Sequence, residues 1–139
     1  MKLTDVTPNL IVSDIDRSTA FYRDVLGFNV VTTVPDQAPF VFVWLQRDAI
    51  KVFLNAAAGV KDDVPELGTR AIGGTNTLFI TVEADSVAQG IDAYFRAVDG
   101  KARVVMPLKD QFYGMREFGI TDPDGYVIFF AQRIAQPNE

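Results

Sequence analysis

The sequence contains neither cysteine nor histidine. Without cysteine, disulfides, zinc–thiolate centres, iron–sulfur clusters and thiol nucleophiles are all excluded. Without histidine, the commonest transition-metal ligand and the commonest general base at neutral pH are missing. The Ser–His–Asp triad and the histidine-containing metal triads go with it. Long apolar runs are lacking as well: none approaches the ~20 residues that span a bilayer, and no basic-then-apolar leader opens the chain. Positive charge is short, with 13 Lys and Arg against 18 Asp and Glu and a net charge of −5. A nucleic-acid binder usually leaves a basic footprint, and none is visible. These absences argue against membrane, secretory and nucleic-acid roles and make the cytoplasm the default location. Any chemistry must rest on carboxylates, lysine, arginine, tyrosine, hydroxyls, backbone amides or apolar surface.

What is present suits an ordinary globular protein. The 139 residues are 48% hydrophobic and 22% charged, enough for one domain with a core that needs no covalent staples. An internal echo organises the chain. Phe21-Tyr22-Arg23-Asp24-Val25-Leu26-Gly27 returns as Tyr94-Phe95-Arg96-Ala97-Val98-Asp99-Gly100. Each copy is followed by a β-prone run, Phe28 to Val34 and Ala102 to Met106, and preceded by alternating apolar residues, Leu10 and Val12 or Leu78, Ile80 and Val82. Period-two alternation marks a strand with one buried face. Two copies of one βαβββ unit are therefore expected, over about 1–56 and 75–135, with a Gly-, Ala- and charge-rich linker at 57–74.

Helical spacing of apolar residues predicts helices from Asp14 to Leu26 and from about Asp85 to Val98, with Asp14 or Asp16 as the first N-cap and Gly27 at the C-terminal end. Further strands are expected at Phe40 to Arg47, Ile50 to Asn55, Phe112 to Thr121 and Tyr126 to Arg133. Asp122-Pro123-Asp124-Gly125 supplies the turn between the last two.

Pro8-Asn9-Leu10-Ile11-Val12-Ser13-Asp14, with Ser18 and Phe21 to Phe28, resembles the opening module of the glyoxalase/bleomycin resistance/extradiol dioxygenase superfamily, the vicinal oxygen chelate proteins. Tyr113-Gly114-Met115-Arg116-Glu117-Phe118 and Asp122-Pro123-Asp124-Gly125 resemble the close of its second module, especially in bleomycin-resistance-type members. The resemblance implies an α+β fold of two tandem βαβββ modules whose sheets form open half-barrels around a cleft, and a homodimer. It leaves activity open, because the superfamily includes lyases, isomerases, dioxygenases, thiol transferases and drug binders.

Metal-dependent members take ligands from the first and last strands of each module. Carried over, those positions are Thr7 and Thr77 on the first strands and Phe129 on the last strand of the second module. The remaining position is Phe53, or Lys51 with a hairpin one residue shorter. Hydroxyls and phenyl rings do not hold Zn²⁺, Fe²⁺ or Ni²⁺, so neither metal nor other cofactor is expected. Strand parity then fills the cleft. Phe118, Ile120, Ile128 and Phe130 should face the second helix, as should Leu78, Ile80 and Val82. That leaves Thr77, Phe79, Tyr113, Met115, Glu117 and Phe129 inward. In the third strand Phe40, Phe42 and Trp44 share a face, and they suit the cleft better than the aliphatic alternates, although the turn near Asp48 leaves the register open.

The expected site is thus Phe40, Phe42, Trp44, Phe53, Thr77, Phe79, Tyr113, Met115, Glu117 and Phe129, a dry aromatic surface for a planar apolar small molecule. Glu117 is either a general base or cation anchor, or the partner of an arginine across a dimer interface. Arg116, on the opposite face, is expected in an ion pair. The leading functional expectation is metal-independent binding and sequestration of a small molecule. The alternative is a glyoxalase-like lyase, isomerase or dioxygenase, metal-free with Glu117 as base and Tyr113 as acid, or metal-dependent.

Overall fold

The protein is described here by a computed structural model covering residues 1–2, 4–74 and 76–134. It is α+β and divides into two compact units, Met1–Gly74 and Thr75–Glu139. The module ends set from sequence at 75 and 135 lie outside the described residues. No helix among the described residues is long and apolar enough to cross a membrane.

The first unit runs β1 (Asn9–Val12), α1 (Ile15–Ala20, continued by a wide π turn at Phe21–Val25), β2 (Asn29–Val34), β3 (Phe42–Arg47) and β4 (Ile50–Ala56). Its sheet has the order β1-β4-β3-β2, with β1 parallel to β4 and the other pairs antiparallel. The second unit repeats the scheme with β5 (Thr77–Thr81), α3 (Ile91–Val98), β6 (Arg103–Asp110), β7 (Met115–Thr121) and β8 (Val127–Arg133), in the order β5-β8-β7-β6. Both sheets are mixed and open.

Alternation fixes which face of each sheet is core. In the first unit Leu10, Val12, Val43, Leu45, Val52 and Leu54 are at most 1% exposed. Against them sits α1 with Ile15 and Ser18, its N-terminus capped by Asp14, whose carboxylate accepts from Arg17 N at 3.0 Å, and the π turn that continues it buries Tyr22. Gly27 ends this segment at φ +80°, a conformation that costs other residues a steric penalty. In the second unit Phe118, Ile120, Ile128 and Phe130 lie under α3, as their parity predicts. Tyr94 meets Phe130 edge-on at 5.0 Å, and Phe95 meets Phe118 at 5.2 Å.

Several expected boundaries shift. The third strand starts at Phe42, so Phe40 lies ahead of it. The seventh starts at Met115, and Tyr113 sits in the preceding turn, where Gly114 N donates to Gln111 O at 3.1 Å. The sixth reaches Asp110 rather than stopping at Met106, and the second-unit helix begins at Ile91 rather than near Asp85. The linker at 57–74 is not structureless: it forms α2 (Ala57–Asp63) and a 3₁₀ helix (Pro65–Thr69). Composition misled there, because Ala is the best helix former and Pro is favoured at a helix start.

The late start of α3 has a long-range cause. Gln132 on β8 is 6% exposed; its side-chain oxygen accepts from Ile91 N at 2.9 Å and its amide donates to Ser86 O at 3.3 Å. A side chain 41 residues away thus supplies the cap that Gly90 cannot. A Cβ at Gly90 would stand 2.3 Å from Gln132 Oε1, 2.7 Å from Ala84 Cβ and 3.0 Å from Ser86 O. Gly90→Ala should therefore cost about 1–3 kcal/mol through crowding, read as a lowered midpoint in urea unfolding.

Candidate functional site

In each unit the sheet face turned away from the helix carries residues singled out from sequence, while Phe40 and Tyr113 lie outside the strands. In the first unit these are Phe42, Trp44 and Phe53. The two-residue turn at Asp48-Ala49, with Asp48 at φ +52°, pairs Arg47 with Ile50 and so sets Trp44 opposite Phe53. Asp tolerates the left-handed conformation better than most residues, which fixes the register that the sequence left open. The Phe53 ring contacts Phe42 at 5.1 Å and Trp44 at 5.8 Å, both edge-on. All three are half-buried. Phe40 does not share the strand, and its alternation argument does not apply. Thr7 lies just before β1, half-buried.

Trp44 has one further property. Its Nε1 is the only buried side-chain nitrogen or oxygen among the described residues that has no hydrogen-bond partner. Such a donor typically costs about 1–3 kcal/mol relative to a satisfied one.

Around this aromatic group the face is polar. Lys51 pairs with Asp5, and Asn55 donates from its amide to Asn9. Neither asparagine was singled out from sequence, because an isolated Asn in a strand carries no pattern of its own.

In the second unit Thr77 and Phe79 are exposed on β5, Phe79 at 55%. Phe129 lies beside Phe79 on β8 and opposite Gly119 on β7. A Cβ at Gly119 would come within 3.1 Å of the Phe129 ring, so any larger residue would push that ring aside by a few tenths of an ångström. Met115 and Glu117 follow on the same face of β7, both buried.

Glu117 is 3% exposed, and its Oε2 accepts a 2.6 Å hydrogen bond from the Tyr113 hydroxyl. It forms no ion pair among the described residues; its cross-strand neighbour Lys109 is exposed and does not reach it. The carboxylate holds the Tyr113 phenol above its ordinary pKa, because ionising the phenol would sacrifice the hydrogen bond and place two negative charges together. Beside the pair, Phe112 is fully exposed and packs edge-on against Tyr113 at 5.2 Å.

Arg116 faces the other way, as expected. It donates to Asp110 through Nε at 2.6 Å and Nη2 at 3.1 Å, and to Asp92 on α3 through Nη1 at 3.1 Å. These carboxylates raise the guanidinium pKa further, Asp110 the more strongly, and Asp110 is in turn lowered. The arrangement ties the β6–β7 hairpin to the helix. Asp122 accepts from the backbone N–H of Asp124 and of Tyr126, both at 2.9 Å, so its carboxylate shapes the turn.

The metal positions can be compared between units. Asn9 pairs with Phe53 and Phe79 pairs with Phe129, which makes Phe53, not Lys51, the counterpart of Phe129 and Thr7 that of Thr77. These side chains offer two hydroxyls and two phenyl rings. No group of three or more Asp and Glu side chains placed to hold a metal ion occurs among the described residues. The donor set does not fit a divalent transition metal.

Comparison with known proteins agrees with the fold. Residues 4–130 match the family model described as the Glyoxalase/Bleomycin resistance protein/Dioxygenase superfamily, and the chain belongs to that superfamily. It is 32% identical over 134 residues to a bleomycin resistance protein of Geobacillus stearothermophilus, covering 91% of this chain and 95% of the relative. Among solved structures it resembles a protein of unknown function from Agrobacterium tumefaciens, with TM-score 0.75, 25% identity and 95% of each chain covered. It also resembles an antibiotic binding protein from a Streptomyces species, with TM-score 0.67 and 21% identity over 96% of this chain and 98% of the other.

The Tyr113–Glu117 contact gives a direct test. In Glu117→Gln the charge is gone, and the Tyr113 phenol should titrate at lower pH than in the parent protein. The ¹³Cζ shift of labelled Tyr113 followed against pH would show it; an unchanged midpoint would remove the contact.

Proposed function

We propose that the protein binds and sequesters a planar, largely apolar small molecule without a metal. The observation that carries this reading is the cluster of Phe42, Trp44 and Phe53 on the sheet face opposite the one packed against α1, with a buried indole N–H lacking an acceptor among the described residues. Core demands do not explain it, since the aliphatic face of the same strands already packs against α1. Aromatic pairs add about 0.5–1.5 kcal/mol beyond area burial, so two ring contacts with a ligand are enough to matter. The bleomycin resistance relative supports the same class of function. In this reading Phe40, on the approach to β3, belongs to the first unit's ligand-binding surface, and Thr77, Phe79, Tyr113, Met115, Glu117 and Phe129 are the ligand-binding residues of the second unit's own face. A cytoplasmic location goes with it.

A second reading is favoured by one observation, the buried Glu117 carboxylate held by Tyr113: a metal-free lyase or isomerase with Glu117 as base and Tyr113 as acid. Glu117→Gln separates the two. Retained binding of neutral aromatic ligands with no turnover by either protein belongs to the binder; turnover that the substitution abolishes belongs to the enzyme.

We also propose a homodimer. The edge strand β2 exposes Val30, Val31 and Val34 at 39%, 48% and 48%, an apolar edge that a monomer would leave open to pairing. Light scattering should give about twice 15.4 kDa, and a monomer at micromolar concentration would remove the proposal.

Trp44 is the single tryptophan, so its fluorescence reports one site. A planar aromatic ligand should quench it, and Trp44→Ala should weaken binding at least tenfold, about 1.4 kcal/mol, with the circular dichroism spectrum unchanged. An emission insensitive to a library of planar ligands would overturn the binding reading.

A further inference from the structure

Asn9 and Asn55 occupy the same face as the aromatic cluster, on adjacent strands. Asn9 is the cross-strand partner of Phe53 and Asn55 that of Phe42, so the amides and rings form one contiguous patch. The amides are bonded to each other, Nδ2 of Asn55 donating to Oδ1 of Asn9, which holds both planes in place. That bond uses one donor group and one acceptor. The Asn9 Nδ2 group and the Asn55 Oδ1 atom have no side-chain partner among the described residues. The opposite orientation of both amides would leave the same pairing of one free donor and one free acceptor.

The fold does not require this polarity. In the second unit the same parallel pairing is built with Phe79 where the first has Asn9 and with Ala131 where it has Asn55. The sister module thus forms the same strand pair with apolar residues at both of these positions. A surface amide alone is commonplace; a held amide pair flanking half-buried rings, in only one of two equivalent modules, marks a difference in what the two faces meet. The partnerless Trp44 Nε1 on the same face adds a second unsatisfied donor.

We infer that Asn9 and Asn55 form a specificity element for a ligand whose planar ring carries a lactam- or imide-type edge, with a carbonyl oxygen accepting from Asn9 and a neighbouring N–H donating to Asn55. The inference rests on the binding reading above and deepens it: the rings supply contact area, and the amides select. Amide groups suit such an edge because they present a neutral donor and acceptor, which match it without the desolvation cost of an ion.

Titration calorimetry with 2-quinolone, N-methyl-2-quinolone and quinoline tests it. The first has both groups, the second lacks the donor, and the third lacks the lactam altogether. The intact protein should bind 2-quinolone about fivefold more tightly than its N-methyl derivative, the difference made by one hydrogen bond. The double variant Asn9→Phe, Asn55→Ala takes the second unit's own residues, and in it the preference for 2-quinolone over its N-methyl derivative should vanish while all three rings still bind. Equal binding of 2-quinolone and its N-methyl derivative by the parent protein would overturn this inference and leave the aromatic binding reading standing. So would a preference that persists in the double variant. Failure of all three rings to bind would remove both.

Discussion

In each unit the first strand lies parallel to the last, and the rest of the structure follows from that pairing. A hairpin can join antiparallel neighbours, but parallel strands need a crossover, and here the helix begins it. The pairing puts β4 and β8 inside their sheets, bonded on both sides, and brings Leu10 beside Leu54 and Ile80 beside Phe130 on the helix-covered face. Side chains alternate, so a slip of one residue would exchange the buried aliphatic set for the aromatic and polar one. The core therefore holds the register, and the register delivers Trp44, Phe53, Glu117 and Phe129 to the faces opposite the helices.

This division of labour suits a superfamily with many activities. One face of each sheet carries the packing energy, leaving the other free to vary. The first unit uses its free face for a ring cluster bordered by neutral amides and the Lys51–Asp5 pair. The second uses it for exposed Phe79, Phe129 seated over Gly119, and a buried carboxylate latched by a phenol. The cores are near copies; the outer faces are not.

Much of this was legible in the sequence because the signals are local. The helix echo, the capping Asp14, the Asp122 turn and the period-two alternation of Phe118, Ile120, Ile128 and Phe130 each depend on a few neighbouring residues. What escaped depends on partners far along the chain. Phe40 and Tyr113 continue an alternating pattern that hydrogen bonding ends before it reaches them. The capping of α3 by Gln132 and the Asn9–Asn55 pair each join residues more than 40 positions apart, and no window on the sequence contains both ends. The helices at Ala57–Thr69 were hidden differently: glycine and charge made a helical stretch look like a linker.

The segment from Ala57 to Thr69 is helical, yet neither of its helices has a buried residue. Opening it would expose little apolar surface, so it belongs to the part of the molecule that unfolds first and locally. A protease should nick the chain there before touching either sheet. The same property makes it the natural seam of the gene: the place where the chain tolerates insertion, or separation into two complementing fragments, with each βαβββ core left whole.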